Sequence, residues 1–360
     1  KVGMIGTTGT VIGDVVTPTL NTTPESYELH QAFAQMVEAG CEYAVMEVSS
    51  QGIKMHRTDG LYFNYAIFTN ISPDHIGPGE HADFEEYLYY KTRLLNMCGI
   101  GLVNKDDKHA PQIIKAANCE LYTYSEESKE ADFVASDIRY VSQPDFVGTE
   151  FHISGKYDME VRLGIPGLFN VVNALAAVSV CSFLGLDQAR ISHALENIRV
   201  NGRMEIVYTS ERCTVLVDYA HNAVSMESLL STLRDYKPKR LVCVFGCGGN
   251  RSKDRRYSMG EIGGKMADLS IITADNSRYE KVEDIIADIR GSIEKTGGKF
   301  IEIPDRREAI RYSILHAQPG DMVAVIGKGH EDYQEINGVR HHFLDREVIE
   351  ETVKELGEKA

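Results

Sequence analysis

The side chains best suited to chemistry stand just past short apolar runs. Met46-Glu47-Val48-Ser49-Ser50 closes the run Tyr43–Val48 with a carboxylate and two hydroxyls. That set suits a hard cation and phosphate oxygens, although a strand can also end this way at a plain surface. A second run, Tyr65–Thr69, leads into Asn70-Ile71-Ser72-Pro73-Asp74-His75, so two runs deliver metal-competent groups at matching places. Within Phe84–Met97 the apolar residues Phe84, Tyr87, Leu88, Leu94 and Leu95 recur at helical spacing, and Lys91 shares their stripe. A lysine so placed either snorkels to water or is desolvated into a neutral amine that can react or be carbamylated. Asn21-Thr22-Thr23-Pro24 precedes the helical pattern Glu25–Ala39, which Gly40 stops. Thr23 reads as the N-cap and Pro24 as the first helical residue, and the same hydroxyls at a helix N-terminus could hold an anion.

Four clusters follow apolar runs in the second half. Asp218-Tyr219-Ala220-His221-Asn222 ends Val215–Tyr219, and Gly246-Cys247-Gly248-Gly249-Asn250-Arg251 follows Leu241–Phe245. Ala274-Asp275-Asn276-Ser277-Arg278 follows Leu269–Thr273, and Gly327-Lys328-Gly329-His330-Glu331-Asp332 follows Met322–Ile326. The glycine-rich turn is close to a dinucleotide fingerprint, but Arg251 stands where the last glycine belongs. One such cluster is an ordinary turn; four successive ones at carboxyl ends of strands describe a binding face.

These positions require strands alternating with helices, hence an α/β protein. Further strands are expected at Val2–Ile5, Gly101–Asn104 and Phe300–Ile303. Glu120–Tyr124, Phe133–Val141, Thr149–Ser154 and Met159–Leu163 have no helical pattern between them and read as an antiparallel appendage. Helices Asn170–Leu184 and Asp187–Asn197 follow, and the alternation restarts near Met204. Two domains result: residues 1–199, a mostly parallel central sheet with its appendage, and residues 200–360, a Rossmann-like α/β domain. A first domain that opens on a strand suggests an earlier βα unit.

A net charge of −15 argues against non-specific nucleic-acid binding, which needs clustered Lys and Arg. No apolar run reaches the roughly 18 to 20 residues of a membrane span, and the opening residues lack a signal-peptide layout. A cytoplasmic monomer is expected. The seven cysteines form no C-x-x-C pair and read as reduced structural thiols.

Taken in order, NTTP, MEVSSQG, TNISPDH, EEYLYYKTRLL, GLFNVVNALAA, NGRME, DYAHN, FGCGGNR, ADNSR and GKGHEDYQ span nearly the whole chain. The ordered set resembles the Mur ligase family, in the branch (MurE type) that adds the third residue to UDP-N-acetylmuramoyl-L-Ala-D-Glu in peptidoglycan synthesis. The resemblance implies a central sheet of P-loop type, ATP and magnesium as cofactors, and the UDP-muramoyl dipeptide and a free amino acid as partners. It implies that Glu47 binds one magnesium, and that His75 and a carbamylated Lys91 bind a second, the three converging as the catalytic centre. It further implies that Asn21, Thr22, Thr23, Ser49 and Arg57 contact the nucleotide precursor. Asn170 and Asn173 would lie near adenine, and Arg203 and Asp218 near the phosphate and ribose ends. Arg256, Asp275, Asn276, Arg278, Gly327 and Glu331 would build the amino-acid pocket. The implied reaction is phosphoryl transfer from ATP to the D-Glu carboxylate, then attack by the amine on the acyl phosphate.

Departures from the family pattern set the alternatives. The G-x-x-x-x-G-K-[ST] motif is absent from these 360 residues, as is the family's uridine-binding domain. A fragment of an active enzyme is expected, with a non-catalytic binding module as the rival. Gln51 replaces the usual His, NAVS follows DYAH in place of a Thr-Pro pair, and DNSR replaces DNPR. Arg278 still offers a cation to a distal carboxylate, so meso-diaminopimelate is expected over L-lysine. ADNSR with GKGHEDYQ speaks against a cyanophycin or folylpolyglutamate enzyme, and a nicotinamide dehydrogenase rests on GCGGNR alone.

Overall fold

The computed structural model describes residues 1–357; the last three residues of the expected second domain lie outside them. The chain forms two compact units, Lys1–Val134 with Ser154–Tyr157 and Leu175–Leu184, and Ala135–Ile153 with Asp158–Ala174 and the residues from Gly185 onward. The partition expected at 199/200 falls inside the second unit, and the middle of the chain contributes to both.

The first unit opens on β1 (Val2–Gly6), β2 (Gly9–Ile12) and β3 (Val15–Thr17), followed by α1 (Ser26–Glu38), β4 (Tyr43–Met46) and α2 (Ser50–Lys54). Strands β1 to β3 form an antiparallel meander, and β4 pairs parallel with β1, giving the order β3-β2-β1-β4. Leu29, Ala32 and Met36 of α1 bury against Ile5. The other face, where Val2 and Met4 pair with Tyr43 and Val45, is exposed. Thr23 is not the cap of α1. Glu25 is, in a reciprocal capping box with Glu28. Pro24 fixes the entry, and Thr23 turns its hydroxyl to the chain after β4 instead.

Next come β5 (Phe63–Phe68), α3 (Phe84–Thr92) with one 3₁₀ turn to Asn96, β6 (Cys98–Asn104), α4 (Ala110–Ala116) and β7 (Glu120–Ser125). β5, β6 and β7 run parallel around a core of Phe68, Leu88, Leu95, Val103 and Ile113. The appendage is therefore smaller than its sequence pattern suggested. β7 joins the parallel set through α4, and the first residues of β8 (Phe133–Gln143) also pair parallel with it. Antiparallel pairing sets in after that: β8 and β9 (Phe146–Gly155) are neighbours joined by a two-residue link, which only antiparallel strands allow, and β9 pairs antiparallel with β10 (Met159–Leu163). The full order is β10-β9-β8-β7-β6-β5. α5 (Leu168–Phe183) and α6 (Gln188–Asn197, capped by Asp187) follow.

The second unit continues with β11 (Glu205–Thr209), β12 (Cys213–Asp218), α7 (Ala223–Asp235), β13 (Arg240–Phe245), α8 (Lys253–Met266), β14 (Leu269–Ile272) and α9 (Val282–Thr296). It ends with β15 (Phe300–Glu302), α10 (Arg306–Leu315), β16 (Asp321–Ile326), the ribbon β17 (Tyr333–Ile336) and β18 (Val339–His342), and α11 (Asp345–Glu355). Its sheet order is β11-β12-β16-β13-β14-β15, parallel except for β11. The central strands are apolar throughout because both faces are covered. Leu216, Cys243, Phe245 and Ala324 alternate toward α7, α8 and α9, while Val215, Val242, Val244 and Val323 face α10 and α11. β16 lies between β12 and β13, so the winding reverses there and opens a crevice at the carboxyl ends of β13, β14 and β16.

That edge is braced from behind by Arg306. Its guanidinium, fully buried, donates to Asp345 Oδ1 at 2.7 Å and Oδ2 at 2.6 Å. It also donates to the carbonyls of Ala274 at 3.2 Å and Ile326 at 3.0 Å, the residues that introduce two of the sequence clusters. Asp345→Asn leaves a buried cation without its counter-charge. We expect it to lower unfolding free energy by about 3–5 kcal/mol, read as a fall in the urea midpoint at unchanged slope.

Candidate functional site

β4 delivers Glu47 one residue past its end, where the Glu47 N–H still bonds the Ile5 carbonyl at 2.9 Å. The carboxylate is exposed and accepts from Thr7 Oγ1 at 2.8 Å, and Thr7 and Thr22 share a hydroxyl contact of 3.2 Å. The carboxylate lies close over β1: a Cβ on Gly6 would stand 2.7 Å from Glu47 Oε1. Thr23 is buried; its hydroxyl donates to the Glu47 carbonyl at 3.0 Å and accepts from the Ser49 N–H at 2.9 Å. Ser49 caps α2 by accepting from Gly52 N at 2.9 Å. Arg57 pairs with Glu25 at 2.8 Å and donates to the Thr23 carbonyl at 3.2 Å. Thr22, Glu47, Ser49 and Arg57 thus border one hydroxyl-rich patch, with half-buried Asn21 next in the chain; Thr23, expected to contact a ligand, is instead buried beneath it with its hydroxyl fully used.

Lys91 and His75 meet at Tyr87. The Lys91 amine donates to the Asn70 carbonyl at 2.8 Å and to Tyr87 Oη at 3.4 Å, and lies over the Phe68 and Tyr87 rings. Burial pushes its pKa below the ordinary lysine value, against the opposing pull of Asp107 and Asp74. Lys91 is thus half-buried on its stripe, its amine partly desolvated yet bonded to a carbonyl. His75, at φ +54°, sets its ring edge against Tyr87 with centroids 5.8 Å apart and its Nδ1 3.5 Å from Glu80.

Of the three residues expected to converge, His75 and Lys91 both meet Tyr87, and Glu47 has its own contacts with Thr7. Among the described residues Glu47 has no hydrogen bond or ion pair with His75 or Lys91, and no group of three His, Cys, Asp or Glu is placed to hold a metal ion. An unmodified lysine is a cation and takes a carbonyl instead of a metal. Among the described residues the unmodified side chains thus form no ready-made magnesium cage. The spacing of the sequence also missed His81. It is fully buried, with Nε2 2.9 Å from Ser50 Oγ and its backbone N–H on the His75 carbonyl at 3.0 Å. No periodicity marks a residue buried by a loop. Gln51 uses its amide on the Gly79 carbonyl at 2.9 Å, fastening the same loop to α2.

The second unit gathers a different set. Lys328 is wholly buried yet paired: its amine lies 3.2 Å from both Asn276 Oδ1 and Glu331 Oε2, over the Tyr333 ring. Asn276 Nδ2 donates to Glu331 Oε2 at 3.1 Å, and Tyr219 reaches Glu331 Oε1 at 3.5 Å. Asp275 stands against Gly327, where φ is +113° and a Cβ would come within 2.7 Å of Asp275 Oδ2. Arg278 (φ +50°) donates to the Gly249 carbonyl at 2.7 Å and lies 3.4 Å from Glu335. Asp275, Asn276, Arg278, Gly327 and Glu331 are thus brought together as expected.

Arg256 is placed otherwise. It is 1% exposed and its charge is taken by Glu280 at 2.8 Å and Asp288 at 3.0 Å, so it braces α8 where a ligand cation was expected. That contact and the Asn250 N–H hold the Glu280 carboxyl down at about 2. Exposed Arg251 takes its place beside Arg278: the side of Gly248 faces Arg278 Nη1 and the Arg251 stem at 3.0 and 3.8 Å from an ideal Cβ. The signal was its position in GCGGNR, read above only as a failed glycine.

Asp218 is buried and accepts from the N–H groups of Met204 at 2.8 Å and Ala220 at 2.7 Å. Burial raises its pKa, with those donors and Arg203 opposing. Arg203 is exposed and stacks on Tyr219, 4.8 Å from guanidinium carbon to ring centroid. Asn170 and Asn173 stand one turn apart at the start of α5; Asn170 is fastened to the Pro166 carbonyl at 2.7 Å, and Asn173 is exposed. No described helix is long and apolar enough to cross a membrane.

Residues 1–181 match the Mur ligase middle domain and residues 202–329 the Mur ligase, glutamate ligase domain. The chain is 40% identical over 361 residues to the UDP-N-acetylmuramoyl-L-alanyl-D-glutamate–2,6-diaminopimelate ligase of Caldanaerobacter subterraneus subsp. tengcongensis, covering 99% of this chain and 73% of that one. It is 38% identical to the enzyme of that name from Clostridioides difficile, with the same coverage. A solved structure of a ligase of that name superposes with a TM-score of 0.80 at 34% identity, over 99% of this chain and 73% of the other. Thermotoga maritima folylpolyglutamate synthase shares the fold alone, at TM-score 0.59 and 19% identity over 84% of this chain and 68% of its own.

The desolvated Lys91 amine should label with an amine-selective acylating reagent at a lower pH than the exposed lysines, followed residue by residue by mass spectrometry. Labelling that tracks the exposed lysines across the pH range would contradict the burial argument.

Proposed function

Because the chain belongs to the Mur ligase family, in its MurE branch, we propose that it serves the ATP-dependent joining of 2,6-diaminopimelate to the D-Glu carboxylate of UDP-N-acetylmuramoyl-L-Ala-D-Glu in peptidoglycan synthesis. The observation that carries the amino-acid choice is the pairing of Arg278 and Arg251 at one mouth with Glu331 and Glu335. A substrate with a carboxylate and an ammonium at its far end finds both charges matched there. Lysine would bring no carboxylate to exposed Arg251 and would leave Arg278 with its loose 3.4 Å contact to Glu335. The names of the relatives that match nearly the whole chain support the same choice.

On this reading the hydroxyls of Thr22 and Ser49 and the Arg57 guanidinium orient the anionic precursor, Glu47 sits among them, and Thr23, buried with its hydroxyl fully used, positions Glu47 and Ser49 instead of touching the ligand. ATP and magnesium belong to the proposal too. The phosphoryl group passes to the carboxylate, the amine attacks the acyl phosphate, and phosphate departs from the tetrahedral intermediate. Positioning and charge neutralisation carry such a reaction, with no covalent help from the protein. Carbamylation of Lys91 would turn its cation into a carboxylate beside His75, which the depressed pKa favours.

The test is phosphate release by the product of the complete open reading frame, with UDP-muramoyl dipeptide and either meso-diaminopimelate or L-lysine. We expect kcat/KM for diaminopimelate to exceed that for lysine by roughly 100-fold or more, a discrimination within reach of two buried-edge charge contacts. Equal use of lysine would sink the substrate choice, and no release with either would sink the ligase reading.

A further inference from the structure

One buried hydroxyl of the second unit lies outside every cluster that the sequence marked, and it reaches Asn170 through a single peptide. Tyr236 is the C-cap of α7 and is 6% exposed. Its ring belongs to the core cluster of Val147, Ile165 and Met204, and the Tyr140 ring centroid is 5.2 Å away. A phenol oxygen so deep costs free energy unless it finds partners. Tyr236 Oη accepts the Gly167 N–H at 3.1 Å and shares a hydrogen bond of 3.0 Å with Thr149 Oγ1. These partners stand 69 and 87 residues away in the chain, so no spacing rule could reveal the link.

The peptide that joins Pro166 to Gly167 is thereby held from both sides. Its N–H goes to Tyr236, and its carbonyl accepts from Asn170 Nδ2 at 2.7 Å. The Gly167 carbonyl in turn accepts the Asn170 N–H at 3.0 Å. Local conformation does not fix this peptide plane. Proline restricts only its own φ, and Gly167, at φ +104°, is the residue type that leaves such a value most freely. A turn of the plane takes the carbonyl away from Asn170, and the Tyr236 hydroxyl opposes that turn. Because a carbonyl can only accept, the Asn170 amide has one orientation, with Nδ2 toward Pro166. Its Oδ1 has no hydrogen-bond partner among the described residues, and the side chain is half-buried. An oriented amide acceptor of this kind suits the exocyclic amine of adenine.

We propose that Tyr236 is a positioning residue for nucleotide binding: its hydroxyl sets the Pro166–Gly167 peptide, that peptide sets the Asn170 amide, and Asn170 meets the base. The proposal rests on the reading that Asn170 faces the adenine of ATP. Being buried, Tyr236 acts through these two hydrogen bonds and does not touch the ligand.

Amide exchange and nucleotide preference test it. On the 360-residue chain, exchange at the Gly167 amide, followed by NMR, should quicken about tenfold or more in Tyr236→Phe, and the Asn170 side-chain amide signals should move. Thr149→Val removes the other partner of the same hydroxyl and should leave both near wild type. On the complete reading-frame product, Tyr236→Phe should raise KM for ATP about tenfold, the worth of one orienting hydrogen bond, with kcat and the other KM values held. Wild type should favour ATP over ITP, which carries a carbonyl in place of the exocyclic amine. That preference should shrink in Tyr236→Phe and Asn170→Ala, and the double variant should fare no worse than Asn170→Ala. In the wild-type product, bound ATP should slow exchange at Gly167, a measurement that needs no variant to fold. No slowing there, an unchanged KM for ATP in Tyr236→Phe, or the same rise in Thr149→Val overturns the proposal. Asn170→Ala without effect on KM for ATP overturns the nucleotide reading and this proposal with it; an Asn170→Ala effect without a Tyr236→Phe effect overturns the role of Tyr236 alone.

Discussion

The second unit depends on one buried cation. Arg306 lies fully buried, and its donors go to both oxygens of Asp345, to the carbonyl that ends β16 and to that of Ala274, two residues past β14. A pair so deep contributes little net stability against an apolar replacement, but a broken one costs several kcal/mol. Its value is placement. Two strand ends are held at the separation that brings Asp275-Asn276 against Gly327-Lys328, and the loops bearing the proposed ligand contacts inherit that spacing.

The same economy of charge governs the pocket itself. Lys328 carries its ammonium into full burial because Glu331 and Asn276 meet it there, and this fixes Glu331 in turn. Arg256 is likewise consumed by Glu280 and Asp288. Arg251, by contrast, stays exposed, and Arg278 and Glu335 meet only in a loose contact of 3.4 Å. In the first unit the corresponding device is desolvation: Lys91 is covered by aromatic rings with one carbonyl as its firm partner, which lowers the cost of losing its proton.

Much of this was legible in residue order. Alternation of β-branched runs with amphipathic stretches set the α/β class, and the clusters at strand ends marked Glu47, Asp218, Asp275 and Gly327 because carboxyl edges are where open sheets bind ligands. The helical stripe placed Lys91 inward before any coordinate did. Local pattern failed where a choice belonged to partners distant in sequence. The run Glu120–Tyr124 has the composition of a hairpin strand, yet α4 lets it join a parallel set. Thr23 has the chemistry of a helix cap, yet the chain past β4 offers its hydroxyl both a donor and an acceptor, and Glu25 caps instead.

By itself the sequence determined the kind of chemistry, since hydroxyls, carboxylates and guanidinium groups at strand ends suit charged ligands, from hard cations to phosphates and zwitterions. Only the tertiary structure decided which charges are free. Arg251 and Arg256 are the same residue type five positions apart, and nothing in that spacing distinguishes them. Burial between α8 and α9 spends one on Glu280 and Asp288, while the turn after β13 leaves the other exposed beside Arg278. Charge availability is set by what surrounds a side chain in space, and a linear sequence does not encode that environment residue by residue.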